Sequence, residues 1–372
     1  MSRTTSDPGP LAAWPEEPEN GSDGNGNGSS KRGRRNTVAE RNTVVMTAKT
    51  APPSLREYGK YKELFYNLTL RDLRSKYKRS VIGWGWSMIN PLANMFIYTI
   101  VFSMLLKIHP PFGIPSGINN YALMLLAAML PFNFFQASVM ESMGSLVGNQ
   151  NLIQKTYFPR ELLPAATVAS KVVSHLIEMG LLLVAVVAWG NWRALMYLPF
   201  VIVLMAVVTV FGLGLAFLFS IGNVFYRDIY HFSGIFFFLW MFLTPIAYPF
   251  YLVGGGLNGN PAAGAVLQAP RYIHVLGHAL SLGTIFKLNP MTDAVLSFQA
   301  FLYNGQLPSS SHLVKFAAAP TPTDLHPLVT SIVVPSNVSW GDFAYLVVWA
   351  VVVLAIGLKV FRKYEARLPE EL

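Results

Sequence analysis

Lys60-Tyr61-Lys62-Glu63-Leu64-Phe65-Tyr66-Asn67-Leu68-Thr69-Leu70-Arg71-Asp72-Leu73-Arg74-Ser75-Lys76-Tyr77-Lys78-Arg79-Ser80 runs through Val81-Ile82-Gly83-Trp84-Gly85-Trp86 into an apolar stretch that ends near Ile108. Tyr61, Leu64, Phe65 and Leu68 recur at i, i+3, i+4 and i+7, while Lys60, Lys62, Arg71, Arg74 and Lys78 occupy much of the rest. A helix divided in this way lies in the headgroup layer, its apolar stripe in acyl chain and its cations on anionic phosphate. Met88–Leu106 then supplies about the ~20 apolar residues needed to cross a bilayer. A chain that lies on a membrane face and then enters it is membrane machinery rather than a soluble enzyme.

Composition points the same way. Of the 372 residues 52% are hydrophobic and 13% charged, and the mean hydropathy is +0.40. These values exclude an ordinary globular domain. The absence of cysteine removes disulfides, thiolate zinc sites and Cys nucleophiles. The net charge of +9 has the sign of a nucleic-acid binder, but 15 of the 28 Lys and Arg residues precede position 81 and most others flank apolar runs. That is the positive-inside pattern of a membrane protein, so no nucleic-acid partner is expected. Residues 1–50 contain no apolar core of a cleavable signal peptide, and Gly21–Ser30 is too polar and flexible to fold. Residues 1–55 therefore read as a disordered, basic cytoplasmic tail.

Six apolar runs meet the length criterion: about Trp86–Leu106, Tyr121–Leu146, Val168–Trp189, Leu195–Val224, Phe232–Leu252 and Phe343–Val360. With the basic N-terminus inside, both termini fall inside. Lys155, Arg160 and Arg227 then lie in inner loops and Lys359, Arg362, Lys363 and Arg367 at the inner C-terminus, while Arg193 runs against the trend in a short outer loop. The expected fold is an all-α membrane protein of six transmembrane helices in a domain at 56–364, with a cytoplasmic C-terminus at 365–372. An N-terminal amphipathic interfacial helix at 60–79 precedes the spans. In the outer region 253–341, Tyr272–Phe286 and Met291–Tyr303 are apolar but too short to span, which suggests two interfacial or re-entrant helices split by Asn289-Pro290. No internal repeat supports an inverted-repeat carrier.

Candidate chemistry is sparse. There is no phosphate-binding Gly-rich loop with Lys and Ser/Thr, hence no ATP site in this chain. His274 and His278 are four apart, but no third ligand is near and no metal is expected. Lys171, His175 and Glu178 fall on one stripe of the third span, with Glu141 on the second. This intramembrane polar set reads first as a structural pair, Lys171 with Glu178 or Glu141, and second as the lining of a hydrated path. Aromatic residues crowd the fifth span, where Phe236, Phe237, Phe238 and Trp240 are the mid-span lining candidates, and Trp84 and Trp86 mark the first. Aromatic faces stack on sugar C–H faces, although interfacial belts and ordinary packing explain the same residues. In the inner loop Asn149–Pro164, a short helix ended at Pro159 would project Ile153, Tyr157 and Phe158 outward as a docking surface. Packing of that loop on its own bundle is an equal alternative.

Four motifs in order carry a resemblance: Arg71–Trp86 with Asn90-Pro91-Leu92, Leu152–Pro164, Phe242-Leu243-Thr244-Pro245-Ile246-Ala247-Tyr248-Pro249, and Leu288-Asn289-Pro290-Met291-Thr292. Together they resemble ABC-2-type exporter permeases, and most nearly the subgroup that exports lipid-linked O-antigen, teichoic acid or galactan. The resemblance implies a homodimer in the bacterial cytoplasmic membrane bound to two copies of a separate nucleotide-binding subunit, which would hold the ATP and magnesium; this chain would need no cofactor. It further implies that Arg71, Arg74, Lys76 and Lys78 meet the pyrophosphate of the carrier lipid. Gln150, Ile153, Lys155, Tyr157, Phe158, Arg160 and Glu161 would couple to the ATPase. Trp84, Trp86, Phe236, Phe237, Phe238 and Trp240 would line the channel, and Tyr272–Phe286 and Met291–Tyr303 would form outer gate helices. The outer region is longer than the family pattern, with extra residues around Gly254–Pro270 and Gly305–Pro335. An ABC-2 exporter of a small lipid or drug, and an integral membrane glycosyltransferase, are the rival readings; the second would need paired acidic groups, whereas Asp228, Asp293 and Asp342 stand singly.

Overall fold

The structure is a computed structural model that describes residues 59–78, 83–156, 158–258, 266–268, 271–275, 278–309, 311–317, 329–335 and 337–372. The chain divides into Met1–Ala51 and Pro52–Leu372; the first unit, with the tail expected there, lies outside the described residues.

Among the described residues five helices are long and apolar enough to cross a membrane: Trp86–Leu105, Tyr121–Val147, Leu162–Ala188, Leu198–Phe225 and Trp340–Glu371. The helix Lys62–Tyr77 (α1) precedes them. The first span is α2, Trp86–Tyr98, continued by a π-helical segment to Leu105. Next come α3, Tyr121–Val147, the short α4, Gln150–Lys155, and α5, Leu162–Ala188. They are followed by α6, Leu198–Phe225, and α7, Ile229–Phe242. The fifth apolar run therefore ends as a helix at Phe242, shorter than the expected Phe232–Leu252. Thr244-Pro245 turns the chain there, since Pro245 can give no N–H to continue the helix.

α3 is the centre of the bundle, with 78% of its apolar window buried, against 6% for α2. Its start is set by Asn120, whose side chain accepts from the Leu123 N–H at 3.2 Å. Phe132, Phe135, Val139 and Met143 of α3 pack with Leu204, Val208 and Phe211 of α6 and with Leu182 and Val186 of α5. The last span, α10 (Trp340–Tyr364), opens with a reciprocal cap: Ser339 Oγ accepts from Asp342 N–H, and the Asp342 carboxylate accepts from Ser339 N–H. α10 crosses α6 at Gly357 and Gly214, so close that a Cβ on Gly357 would lie 2.2 Å from the Gly214 carbonyl oxygen. Small residues permit such backbone approach between membrane helices.

The outer region departs from the expected pair of helices. Tyr272–Phe286 folds first as a hairpin, Tyr272–Val275 against His278–Ser281, and only Leu282–Lys287 (α8) is helical. His274 and His278 thus sit on paired strands rather than on one helix face. Tyr272, Ile273 and Val275 bring the aromatic and β-branched character that favours strand over helix. Two more antiparallel pairs, Gly256–Asn258 with Val266–Gln268 and Ser311–Ala317 with Val329–Pro335, occupy the outer insertions. Met291–Tyr303 is helical as expected: α9, Pro290–Phe298, continues as a π-helical turn to Asn304. Asn289 caps it, accepting from Met291 N–H at 3.0 Å, with Pro290 at the first helical position. Every residue of α9 after Pro290 is buried, and Tyr303 beyond its end donates to Pro111 O at 2.8 Å, tying down the outer loop between α2 and α3.

Candidate functional site

The N-terminal helix α1 is placed by its apolar stripe. Leu68 is buried, and Tyr61, Leu64 and Phe65 pack around the same cluster as Leu146, Ile153, Phe158, Leu163 and Phe361. The stripe expected in acyl chain is therefore turned onto the inner end of the bundle. A protein surface of fixed shape offers closer packing than fluid chains, and Asp72 adds a polar anchor by accepting from Thr167 Oγ1 of α5 at 3.0 Å. The opposite face is exposed and basic. Arg71 lies 3.0 Å from Asp72, whereas among the described residues Arg74 and Lys78 pair with no carboxylate. Lys76, at the end of α1, reaches Glu141 of α3 at 3.0 Å.

Glu141 also pairs with Lys171 of α5, so one carboxylate joins three helices. Of the two structural pairs considered for Lys171, the structure forms the one with Glu141. Glu178 instead lies 3.5 Å from His175 Nδ1. His175 is buried and stacked on Phe134, ring centres 4.5 Å apart. The sequence places Lys171, His175 and Glu178 on one stripe and Glu141 on the preceding span, but carries no sign that Lys76 closes the set, because the pairing is between distant segments.

The aromatic residues divide by face. Phe237 is fully buried against Phe135, and its ring lies 5.8 Å from that of Trp240, nearly parallel. Within this chain Phe237 is a core residue: Phe135, Phe211 and Phe219 cover the inward stripe of α7. Trp240 is half-buried on the same stripe and donates its indole N–H to Asn289 Oδ1 at 2.7 Å. Asn289 in turn donates to Thr244 Oγ1 at 2.9 Å, which joins α7 to the outer helix α9. This link was not read from the sequence, where Asn289 figured as a break before Pro290 and as part of the fourth motif. Phe236 and Phe238 face outward, as does Trp86; the side chain of Trp84 lies outside the described residues.

The inner loop resolves its own alternatives. Ile153 and Phe158 are buried in the inner cluster, not projected outward, because a one-turn amphipathic helix has only one apolar face and the bundle end receives it. Tyr157 lies outside the described residues. Arg160 and Glu161 are tied to the end of α10: the Arg160 backbone N–H donates to Glu365 Oε1 at 2.9 Å, and Arg362 lies 3.3 Å from Glu161. The solvent-facing side of the segment consists of Gln150, Asn151, Gln154, Lys155 and Thr156.

On the outer side, Lys287 lies 2.7 Å from Asp342, next to Asp293 on the buried α9. Burial and the neighbouring Asp342 carboxylate push the Asp293 carboxyl up to about 8, with Lys287 pulling the other way. Among the described residues no group of three or more His, Asp or Glu side chains could hold a metal ion.

Residues 63–253 match the family described as "ABC-2 type transporter". The chain is 26% identical over 264 residues to the "O-antigen export system permease protein RfbA" of Myxococcus xanthus, an alignment covering 71% of this chain and 89% of that protein. A protein of the same name from Klebsiella pneumoniae is 29% identical over 186 residues, 50% of this chain and 69% of its own length.

Proposed function

The chain belongs to the ABC-2 type transporter family, and from that premise we propose that it exports a lipid-linked polysaccharide across the bacterial cytoplasmic membrane. It is a multi-pass membrane permease, a transport component rather than an enzyme. The observation that carries the polysaccharide reading is the alignment with an O-antigen export permease over 89% of that protein's length. The permease works as a homodimer, with two copies of a separate nucleotide-binding subunit that bind ATP and magnesium on the cytoplasmic side. Both termini face that side, where the flanking Lys and Arg residues concentrate. Arg71, Arg74 and Lys78 offer an exposed cationic face to phosphate at the inner leaflet. The polar surface Gln150, Asn151, Gln154 and Lys155 receives the ATPase, and its apolar backing by Ile153 and Phe158 transmits the push to α1 and α10 through the cluster they share.

The test is purification of the protein from its native membrane in mild detergent, followed by identification of co-purifying chains by mass spectrometry. The expected result is a stoichiometric subunit carrying a phosphate-binding loop, together with accumulation of lipid-linked glycan inside cells that lack the permease. A preparation without an ATPase, from cells whose surface glycan is unaffected by the deletion, would overturn the reading.

A further inference from the structure

α10 is held differently in its middle and at its ends. Leu346, Ala350, Val353, Gly357 and Phe361 form one buried stripe along it, while Val348, Val351, Val352 and Ile356 are exposed. The stripe is apolar, with the Phe361 ring 5.3 Å from that of Phe217 on α6. Apolar contact has no preferred direction, so a packed helix can shear along its neighbour by small displacements. Only 22% of the apolar window of this span is buried, against 78% for α3, which packing fixes on every side.

The ends carry directional links. On the inner side Arg160 and Glu365 bind each other twice. The Arg160 backbone N–H donates to Glu365 Oε1 at 2.9 Å, and the Arg160 guanidinium donates to the Glu365 carbonyl oxygen. Arg362 lies 3.3 Å from Glu161, so the segment that follows α4 is stitched to the end of α10. On the outer side Lys287 of α8 lies 2.7 Å from Asp342, and Tyr345 donates its hydroxyl to Leu288 O at 2.9 Å. α9 follows α10 as well, since Met291, Ala294 and Val295 share a cluster with Leu346 and Ala350. Between Asp342 and Arg362 the helix runs about 30 Å, and its backbone hydrogen bonds hold that length fixed.

We propose that α10 is a connecting rod: displacement of the inner segment around α4 is carried by the last span to the outer helices α8 and α9. The rod rests on the export reading for its input, an ATPase that moves α4, and goes beyond it by assigning the route. Arg160, Glu161, Arg362 and Glu365 are the inner joint, and Lys287, Asp342 and Tyr345 the outer one. Because coupling between two sites is reciprocal, disturbing either joint is felt at the other.

The first measurement needs no ATPase. Hydrogen exchange is followed in the full-length permease alone, in phosphatidylcholine nanodiscs. Lys287→Ala, at the outer joint, is expected to speed exchange in the peptide Thr156–Leu162, at the inner joint, by roughly fivefold. Lys287→Arg is expected to restore the parent rate, and Val348→Ala, on the exposed face of α10, to leave it unchanged. A purely local role for Lys287 would not reach that peptide. The second measurement uses the complex with its ATPase and an environment-sensitive fluorophore at Thr284→Cys, an exposed position on α8 in a chain without other cysteines. Glu365→Ala is expected to cut the ATP-driven fluorescence change, per ATP hydrolysed, by roughly fivefold. Adding Lys287→Ala is expected to take nothing further, because the two joints lie in series. Unchanged exchange at Thr156–Leu162 in Lys287→Ala, a full fluorescence response in Glu365→Ala, or losses that add in the double variant would overturn the rod and leave the export reading standing. Faster exchange in Lys287→Ala from a permease that recruits no ATPase would keep the rod and remove the export reading.

Discussion

Trp240 and Asn289 show how much one side chain can hold together. The Asn289 amide accepts from the indole N–H, donates to Thr244 and caps α9 through Met291 N–H. Asn289→Ala abolishes all three and strands a half-buried indole donor. We expect a loss of roughly 1–3 kcal/mol, seen as a lower Tm in detergent, with partial recovery in Asn289→Asp, which keeps the acceptor oxygen. Asp293, one turn further on, has its carboxyl raised by burial. In the unfolded chain it ionises near pH 4, in the folded chain near 8, so the folded state holds the proton longer. Stability from this group is therefore full below about pH 4 and is lost as pH rises toward 8. Asp293→Asn is expected to flatten the fall in Tm between pH 5 and pH 8 relative to the parent, and an unchanged slope would contradict the assignment. Neither role could be read from the residue string: an Asn before Pro looks like a simple break, and a lone Asp carries no sign of what will bury it.

At the scale of elements, the spans were legible and their junctions were not. Apolar length identified α2, α3, α5, α6 and α10, because a bilayer imposes one length on every crossing helix. It overran α7, since the hydrophobic character of Phe242–Leu252 continues past the turn at Thr244-Pro245. It also misread Tyr272–Phe286, where apolar content alone cannot separate a hairpin from a short helix. Helix pairing is written in small residues. Gly357→Ala places a methyl group against the Gly214 carbonyl and forces α6 and α10 apart. The expected penalty is about 1–3 kcal/mol of overpacking, measured as a lower Tm, whereas Gly180→Ala on α5, with open space around it, should be neutral or slightly stabilising. The inner segment separates two roles in the same way. Gln154→Ala with Lys155→Ala alters only the exposed face and is expected to lower coupled ATPase activity severalfold without changing Tm. Phe158→Ala removes a ring from the inner cluster and is expected to lower Tm, by roughly 3–5 kcal/mol of stability.

The whole molecule leaves one span unfinished. α2 is only 6% buried across its apolar window, and Asn94 on it is exposed. An amide facing hydrocarbon without a partner loses its hydrogen bonds at a cost of roughly 2–7 kcal/mol. Lipid is therefore the wrong environment for this face, and protein or water the right one. Asn94 lies eight residues into the helix, about 12 Å along its axis, too deep for the headgroup layer to supply the water. In the proposed homodimer, a second copy placing its own α2 alongside would provide both a polar neighbour and one wall of a hydrated path. The sequence could count this crossing but not say which side is covered, because in the proposed homodimer the covering residues would belong to another molecule. The absence of cysteine makes the arrangement directly measurable. A single Asn94→Cys substitution is expected to give a disulfide-linked dimer on mild oxidation in native membranes, and Val351→Cys, on an exposed face of α10, is expected to stay monomeric. If Asn94→Cys remains monomeric and reacts with maleimide only from within the lipid phase, α2 faces acyl chain and the dimer must use another surface.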